Sequence, residues 1–348
     1  MEVLLGLLLF SWFITAFSYL PFIRLLYRWR FQRLKQSTRD AFNNRTPIFD
    51  RFHQHKAGTP VGGGLLIIVI TTILFPLSLL LMHYFWIPIT SVYPFTTEVK
   101  ILLFTFISFG ILGLVDDLNK TFTWVKSGII GLRLRHKLLI EIVLASVVSY
   151  WLVHDLHIDI FHIPLVGVIR LSWWFIPFST LIIIAFANAF NITDGLDGLA
   201  SGVLMIALAA FWIISASILD TPLSVFIALW IGGLLAFLYF NIYPARIFLG
   251  DVGALSFGAT LAVVGLILGK APALVVIGGV FVAEVASSLI QLLGKKFLGR
   301  KILPVAPVHL WLQQIGWPEP KIVMRFWILS IVLAIFGLWL ALLIRPTP

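Results

Sequence analysis

The chain has 348 residues, of which 60% are hydrophobic and only 11% charged, and its mean hydropathy is +1.03. A water-soluble domain carries about 25% charged and about 45–50% apolar residues, so this composition excludes a soluble globular enzyme, a disordered chain and a fibrous protein. A net charge of +10 would point to nucleic acid on a soluble protein, but its placement here follows membrane topology and no nucleic-acid partner is expected.

A membrane-spanning helix needs about 20 apolar residues to cross about 30 Å of hydrocarbon. The chain offers ten candidate spans: 3–23, 63–86, 99–115, 137–153, 174–190, 199–218, 223–240, 253–269, 273–292 and 326–344. The first lacks a basic leader and is followed by Arg24, Arg28 and Arg30, so it is expected to remain as an anchor rather than a cleaved signal. The short spans are expected to tilt, kink or run into neighbouring loops. Of the 25 Lys and Arg residues, 21 fall in loops 24–62, 116–137, 191–198, 241–252 and 293–325. The positive-inside rule makes these loops cytoplasmic and both termini external. The alternating segment 154–172 predicts a small external β-hairpin. The fold expected is thus one all-α polytopic membrane domain over 1–348, N-out and C-out, in contact with membrane lipids. No cysteine is available for disulfides, thiolate metal sites or nucleophilic catalysis.

With so few acids, each can be placed. Asp116, Asp117, Asp194, Asp197 and Asp251 all sit at the cytoplasmic ends of predicted spans, and Glu141 and Glu284 lie inside spans. A carboxylate near hydrocarbon is costly unless it meets water, a cation or a partner, so five at one boundary mark a site. Asp116 and Asp117 point about 100° apart on a helix, so one can face a cavity while the other meets a neighbour. Asn188, Asn191, Asp194 and Asp197 recur every third residue, predicting one polar stripe ending in Gly195 and Gly198. Interhelical hydrogen bonding is the structural alternative for the stripe. Pro244 breaks the helix before Phe248 and Asp251, and Asp251 either caps the next helix or serves the site. The glycine run 62–64 either admits an anion to the backbone or packs helices closely. Hard oxygen donors without cysteine or an HExxH motif favour Mg²⁺ or Mn²⁺ completed by water and substrate phosphate. Lys120, Lys126, Arg133, Arg135 and Lys137 can receive phosphate charge, His53 and His55 are loop residues, and Trp311, Trp317 and Phe326 are candidates for an interfacial belt.

These residues together resemble the polyprenyl-phosphate N-acetylhexosamine-1-phosphate transferases. The motifs are HKAGTPVGGG at 55–64, GLVDD at 113–117, GLRLRHKL at 131–138, NAFNITDGLDGLA at 188–200, FNIYPARIFLGDVGAL at 240–255 and APVHLWLQQIGWPEPKIVMRFWI at 306–328. The resemblance covers nearly the whole chain and is nearest to the branch whose donor carries N-acetylmuramoyl-pentapeptide. It implies a bacterial inner-membrane enzyme with ten transmembrane helices and a cytoplasmic Mg²⁺ site, passing a sugar-1-phosphate from a UDP-sugar to undecaprenyl phosphate and releasing UMP. It further implies Asp116 and Asp117 as the catalytic carboxylates, Asp251 as catalytic Mg²⁺ ligand and His309 as a phosphate contact. Asn188, Asn191, Asp194 and Asp197 would line the nucleotide wall, Phe248 would stack the uracil, and Lys56 would sit at the nucleoside pocket. A homodimer is compatible with the sequence without being read from it. Two departures bear on donor choice: the family's three consecutive histidines and Glu become His309, Leu310, Trp311 and Gln313, and Val61-Gly62 replaces the usual Thr-Met. Two rivals are a transferase of the same family using UDP-N-acetylglucosamine or another UDP-N-acetylhexosamine, and a cation-coupled transporter built on Glu141 and Glu284.

Overall fold

The computed structural model describes residues 1–32, 50–52, 54–122, 134–163 and 167–343; His53, Lys126, Arg133 and Arg345 lie outside them. In chain order the helices are α1 (Glu2–Arg28), α2 (Gly63–Tyr84), α3 (Phe95–Thr121), α4 (Leu134–His154), α5 (Phe175–Thr193), α6 (Leu199–Ser217) and α7 (Thr221–Asn241). They continue with α8 (Gly250–Ile267), α9 (Ala271–Ile277), α10 (Gly279–Phe297), α11 (Val308–Gln314) and α12 (Glu319–Leu342). Among the described residues nine helices are long and apolar enough to cross a membrane, and α9 with α10 makes a tenth, bent by 81°. The protein is a multi-pass membrane protein.

Hydrophobic runs locate the spans well, but two boundaries differ from expectation. The span expected at 273–292 is broken at Gly278, where α9 turns sharply into α10. Helix α3 continues past 115 to Thr121, so the Asp116-Asp117 pair lies in its last turns, on the helix as expected. The expected hairpin forms from β1 (Ile160–Ile163) and β2 (Gly167–Arg170), antiparallel with Ile160 opposite Arg170. Of the expected interfacial aromatics, Trp311 is partly exposed and Trp317 lies under Arg325 and Lys321, at 4.3 and 4.9 Å. Phe326 instead points inward, because it shares the buried face of α12 with Ile322, Val323 and Ser330.

Helix α8 is the axis of the bundle. All 18 of its residues are buried, enclosed mainly by α3, α5 and α2. Its middle is sealed by rings: Phe257 stacks on Phe106 of α3 at 5.6 Å and meets Trp230 of α7 at 5.3 Å, while Phe106 also meets Trp230 at 5.3 Å. Such pairs add about 0.5–1.5 kcal/mol each beyond the area they bury. In lipid, where apolar burial between helices gives little drive, small residues let backbones approach and gain dispersion instead. At Gly113 of α3 an added Cβ would lie 2.1 Å from the Asp251 carbonyl oxygen on α8. At Gly64 of α2 it would lie 2.3 Å from the Gly253 Cα. The Gly113 contact fixes how close the end of α3 comes to the start of α8.

Gly113→Ala is therefore expected to force α3 from α8. Overpacking of this kind costs about 1–3 kcal/mol, and a lowered thermal unfolding midpoint in detergent, with Gly6→Ala as an open-space control, would show it.

Candidate active site

The ends of α3, α5 and α7 and the starts of α2, α4, α6, α8 and α12 gather the polar residues at one end of the bundle. Lys137, on the first turn of α4, reaches Asp116 Oδ2 at 2.8 Å and Asp251 Oδ2 at 3.1 Å. Lys120, one turn beyond Asp116, reaches the same two oxygens at 3.0 and 2.6 Å. Two carboxylates and two ammonium groups thus form one charge-balanced cluster. Asp116, Asp251 and Lys137 are buried, while Lys120 reaches the surface with a side-chain exposure of 39%. Asn191 of α5 adds a third donor, 3.4 Å from Asp251 Oδ2.

The adjacent acids divide their work. Asp117 is fully buried and its Oδ2 accepts the Val252 backbone N–H at 2.9 Å. It satisfies an amide at the start of α8, a place where helix N–H groups lack intrahelical acceptors. The N-cap position of α8 is Leu249 rather than Asp251, and Asp117 satisfies the Val252 amide of its first turn from another helix.

The glycine run serves packing. Gly63 and Gly64 donate their N–H groups to the carbonyls of Phe248 and Leu249, at 2.8 and 2.9 Å, so these amides are not open to an anion. They hold the loop that presents Phe248, whose ring lies 6.0 Å from Lys56 Nζ.

The stripe expected from 188 to 197 separates into parts. Helix α5 ends at Thr193, and Gly198 takes a φ of +76° as the chain turns into α6, so the last two acids leave the helical register. Asn188 turns to Glu141 of α4, donating from Nδ2 at 2.6 Å. Asn191 meets Asp251. Asp194, just beyond α5, has its carboxyl pushed well above the usual range, first by burial and then by the charge of Asp251, with Lys56 acting in the opposite direction. Asp197 is buried and accepts from Lys56 Nζ at 2.7 Å and from the Ala245 N–H at 2.9 Å.

Three acids take places that sequence reasoning did not give them. Glu141 backs Asn188. Glu284 of α10, fully buried, accepts from the His309 backbone N–H at 3.1 Å and lies 3.0 Å from its Nδ1. This grip turns His309 Nε2 inward, where it has no hydrogen-bond partner and where a Cβ on Gly195 would come within 2.6 Å. Glu319, at the start of α12, accepts from Lys56 Nζ at 2.5 Å and from the Asp197 N–H at 2.6 Å. For Glu319 the available signal was an acid between Pro318 and Pro320, at the position where a helix begins.

The donor set suits a hard cation. Asp116 and Asp251 turn an oxygen each toward shared positive charge, and no group of three or more His, Asp or Glu among the described residues could itself cage a metal. Mg²⁺ characteristically takes one or two carboxylates and leaves the remaining positions to water and phosphate, so these residues fit it. Carboxylates, ammonium groups and a buried imidazole together can neutralise and orient phosphates.

Comparison with known proteins follows the same direction. The sequence pattern of "Glycosyl transferase family 4" matches residues 99–269, which include Asp116, Asp117, Lys137 and Asp251. A phospho-N-acetylmuramoyl-pentapeptide-transferase of Acetivibrio thermocellus is 35% identical over 293 residues, 82% of each chain. A protein of the same name from Levilactobacillus brevis is 36% identical over 84% of this chain and 87% of its own length. Another, from Halalkalibacterium halodurans, is 33% identical over 97% of this chain and 98% of its own. Likeness at this level from end to end, on a bundle that brings Asp116 and Asp251 together, places the chain in the phospho-N-acetylmuramoyl-pentapeptide-transferase family.

Proposed function

We propose that the protein transfers phospho-N-acetylmuramoyl-pentapeptide from its UDP donor to undecaprenyl phosphate, giving lipid I and UMP for peptidoglycan synthesis. The observation that carries this reading is the convergence of Asp116, Asp251, Lys120 and Lys137 at one end of the bundle, in a chain related end to end to enzymes of that name. The positive-inside distribution supports a cytoplasmic site in the inner membrane and external termini.

In the reaction an oxygen of the lipid phosphate bonds to the sugar-linked phosphorus of the donor, the bond from that phosphorus to the bridging oxygen breaks, and UMP leaves with the electron pair. A phosphate monoester has a second pKa of about 6, so the acceptor arrives mostly as a dianion and needs orientation more than deprotonation. Lys120 and Lys137 neutralise phosphate charge, and Lys120, the more exposed, is free to follow the leaving group. Asp116 orients the lysines. Its Oδ2 already accepts from both ammonium groups, which lowers its reactivity as a nucleophile and favours direct transfer over a covalent aspartyl intermediate. Asp251, with Asp116 beside it, would hold Mg²⁺, which supplies charge neutralisation on the diphosphate when bound. His309, held by Glu284, offers Nε2 beside Gly195 as a phosphate contact. Phe248 stacks the uracil with Lys56 beside it, and Asn188, Asn191, Asp194 and Asp197 complete the wall between nucleotide and catalytic carboxylates.

Transporter chemistry is the weaker reading because Glu141 and Glu284 are engaged by Asn188 and His309 at the same end as the other acids. Within the family, the relatives' names favour the pentapeptide donor over UDP-N-acetylglucosamine.

Three results are expected. UMP release measured on purified protein with undecaprenyl phosphate should be rapid with UDP-N-acetylmuramoyl-pentapeptide and slower by about 100-fold or more with UDP-N-acetylglucosamine; the reverse order rejects the donor assignment. Chelation should stop turnover and Mg²⁺ restore it, while Asp251→Ala should lower kcat by about 10²–10³-fold. The adjacent acids should separate: Asp116→Ala lowers kcat by about 10²-fold or more on top of the stability lost with the broken ion cluster, whereas Asp117→Ala lowers the unfolding midpoint through a lost cap worth about 1 kcal/mol and lowers kcat far less. Equal effects of the two substitutions on both readouts would contradict this division.

A further inference from the structure

Glu319 has no part in the mechanism above, yet it stands where three distant stretches of chain meet. It is buried, and its Oε1 accepts from Lys56 Nζ at 2.5 Å and from the Asp197 N–H at 2.6 Å. Lys56 closes the ring by donating to Asp197 Oδ1 at 2.7 Å. The other oxygen of Asp197 accepts the Ala245 N–H, in the loop leading to Phe248. The same helix grips this turn a second time, where Trp327 Nε1–H donates to the Gly198 carbonyl at 3.1 Å. Glu319 and Trp327 thus hold consecutive residues, Asp197 and Gly198, from two turns of α12.

We infer that Glu319 is a positioning residue for the donor's nucleoside end: it fixes Lys56 and the 194–198 turn against the Phe248 loop. This rests on the transferase reading above. The reason is geometric. A lysine has four rotatable side-chain bonds and loses substantial rotamer entropy when held in one place. Two acceptors on opposite elements hold it where one would leave it to swing. The Asp197 amide follows the end of α5 and has no helical acceptor, so Glu319 supplies one. One oxygen sets both the cation and the backbone of the wall, and a uracil stacked on Phe248 would meet a surface already assembled. Glu319 acts through Lys56 and Asp197, so its loss should weaken donor binding while leaving the phosphoryl step to Asp116, Asp251, Lys120 and Lys137.

The test uses the full-length protein in detergent, with UMP release measured while the UDP donor and the lipid acceptor are varied separately. Glu319→Ala is expected to raise the donor KM about tenfold or more, the scale of lost charged hydrogen bonds, with kcat reduced less than about threefold and the acceptor KM unchanged. Glu319→Gln keeps an oxygen at full reach and should return the donor KM to within about threefold of wild type. Glu319→Asp keeps the charge but withdraws the oxygen by one methylene, and should resemble the alanine variant. A wild-type donor KM in Glu319→Ala overturns the inference, as does a parallel loss in kcat and both KM values. If the alanine variant fails to fold, the Gln and Asp pair decides: a normal Asp variant beside an impaired Gln variant assigns the role to charge and overturns positioning. Calorimetric binding of UMP alone, expected to weaken about tenfold in Glu319→Asp and not in Glu319→Gln, keeps the inference distinguishable from the transfer reaction. A wild-type protein that binds UMP but releases none from any UDP-sugar rejects the transferase reading, whereas unaltered UMP affinity in the Asp variant rejects the inference.

Discussion

The closeness of α3 and α8 is the constraint from which the site follows. With Gly113 against the Asp251 backbone, the last turns of one helix and the first turn of the other share a boundary, and two carboxylates 135 residues apart in sequence, Asp116 and Asp251, come within reach of the same ammonium groups. Such a cluster is stable only as a unit. Removing one member of a buried ion pair leaves an uncompensated charge and costs about 3–5 kcal/mol, while the intact set is far cheaper. The buried Lys137 is therefore as much part of the scaffold as of the chemistry, and the more exposed Lys120 is the member able to move.

The Asp116-Asp117 pair shows how one short motif carries two physical tasks. Consecutive helical residues diverge by about 100°, so both cannot face one ligand. Asp116 turns to the lysines, and Asp117 turns into the bundle to accept an amide of α8. The second task supports the first, because that bond anchors the turn on which Asp251 stands.

Much of this was legible in the sequence because membrane constraints are severe. Apolar runs gave the span positions, and the scarcity of acids a site, since each acid near lipid needs a reason to be there. The α9–α10 bend was not legible: Gly278 and Gly279 in an apolar stretch suit either a straight packed helix or a break. The polar stripe misled because a three-residue repeat predicts a common face only while the helix lasts, and α5 stops at Thr193. The grips of Glu284 on His309 and of Glu319 on Lys56 join residues 25 and 263 positions apart. One sequence read alone holds no pairing information over such separations, and an acid next to a proline or within an apolar span does not name its partner.

The two lysine corners of the site differ in charge balance, and that difference has a directional consequence. Lys120 and Lys137 face Asp116 and Asp251, two positive charges against two negative ones, and a bound divalent ion would make that corner positive. Lys56 faces both Asp197 and Glu319, one positive charge against two negative ones. In the proposed function a donor with a charged diphosphate and a neutral uracil would be drawn in one orientation: phosphates toward the end of α3, base toward Phe248. Charge complementarity of this sort governs register and specificity more than affinity. In the proposed reaction it would align the donor phosphorus with the acceptor phosphate before any bond changes, with the pocket wall prepared by α12 and the reacting end by the contact of α3 with α8.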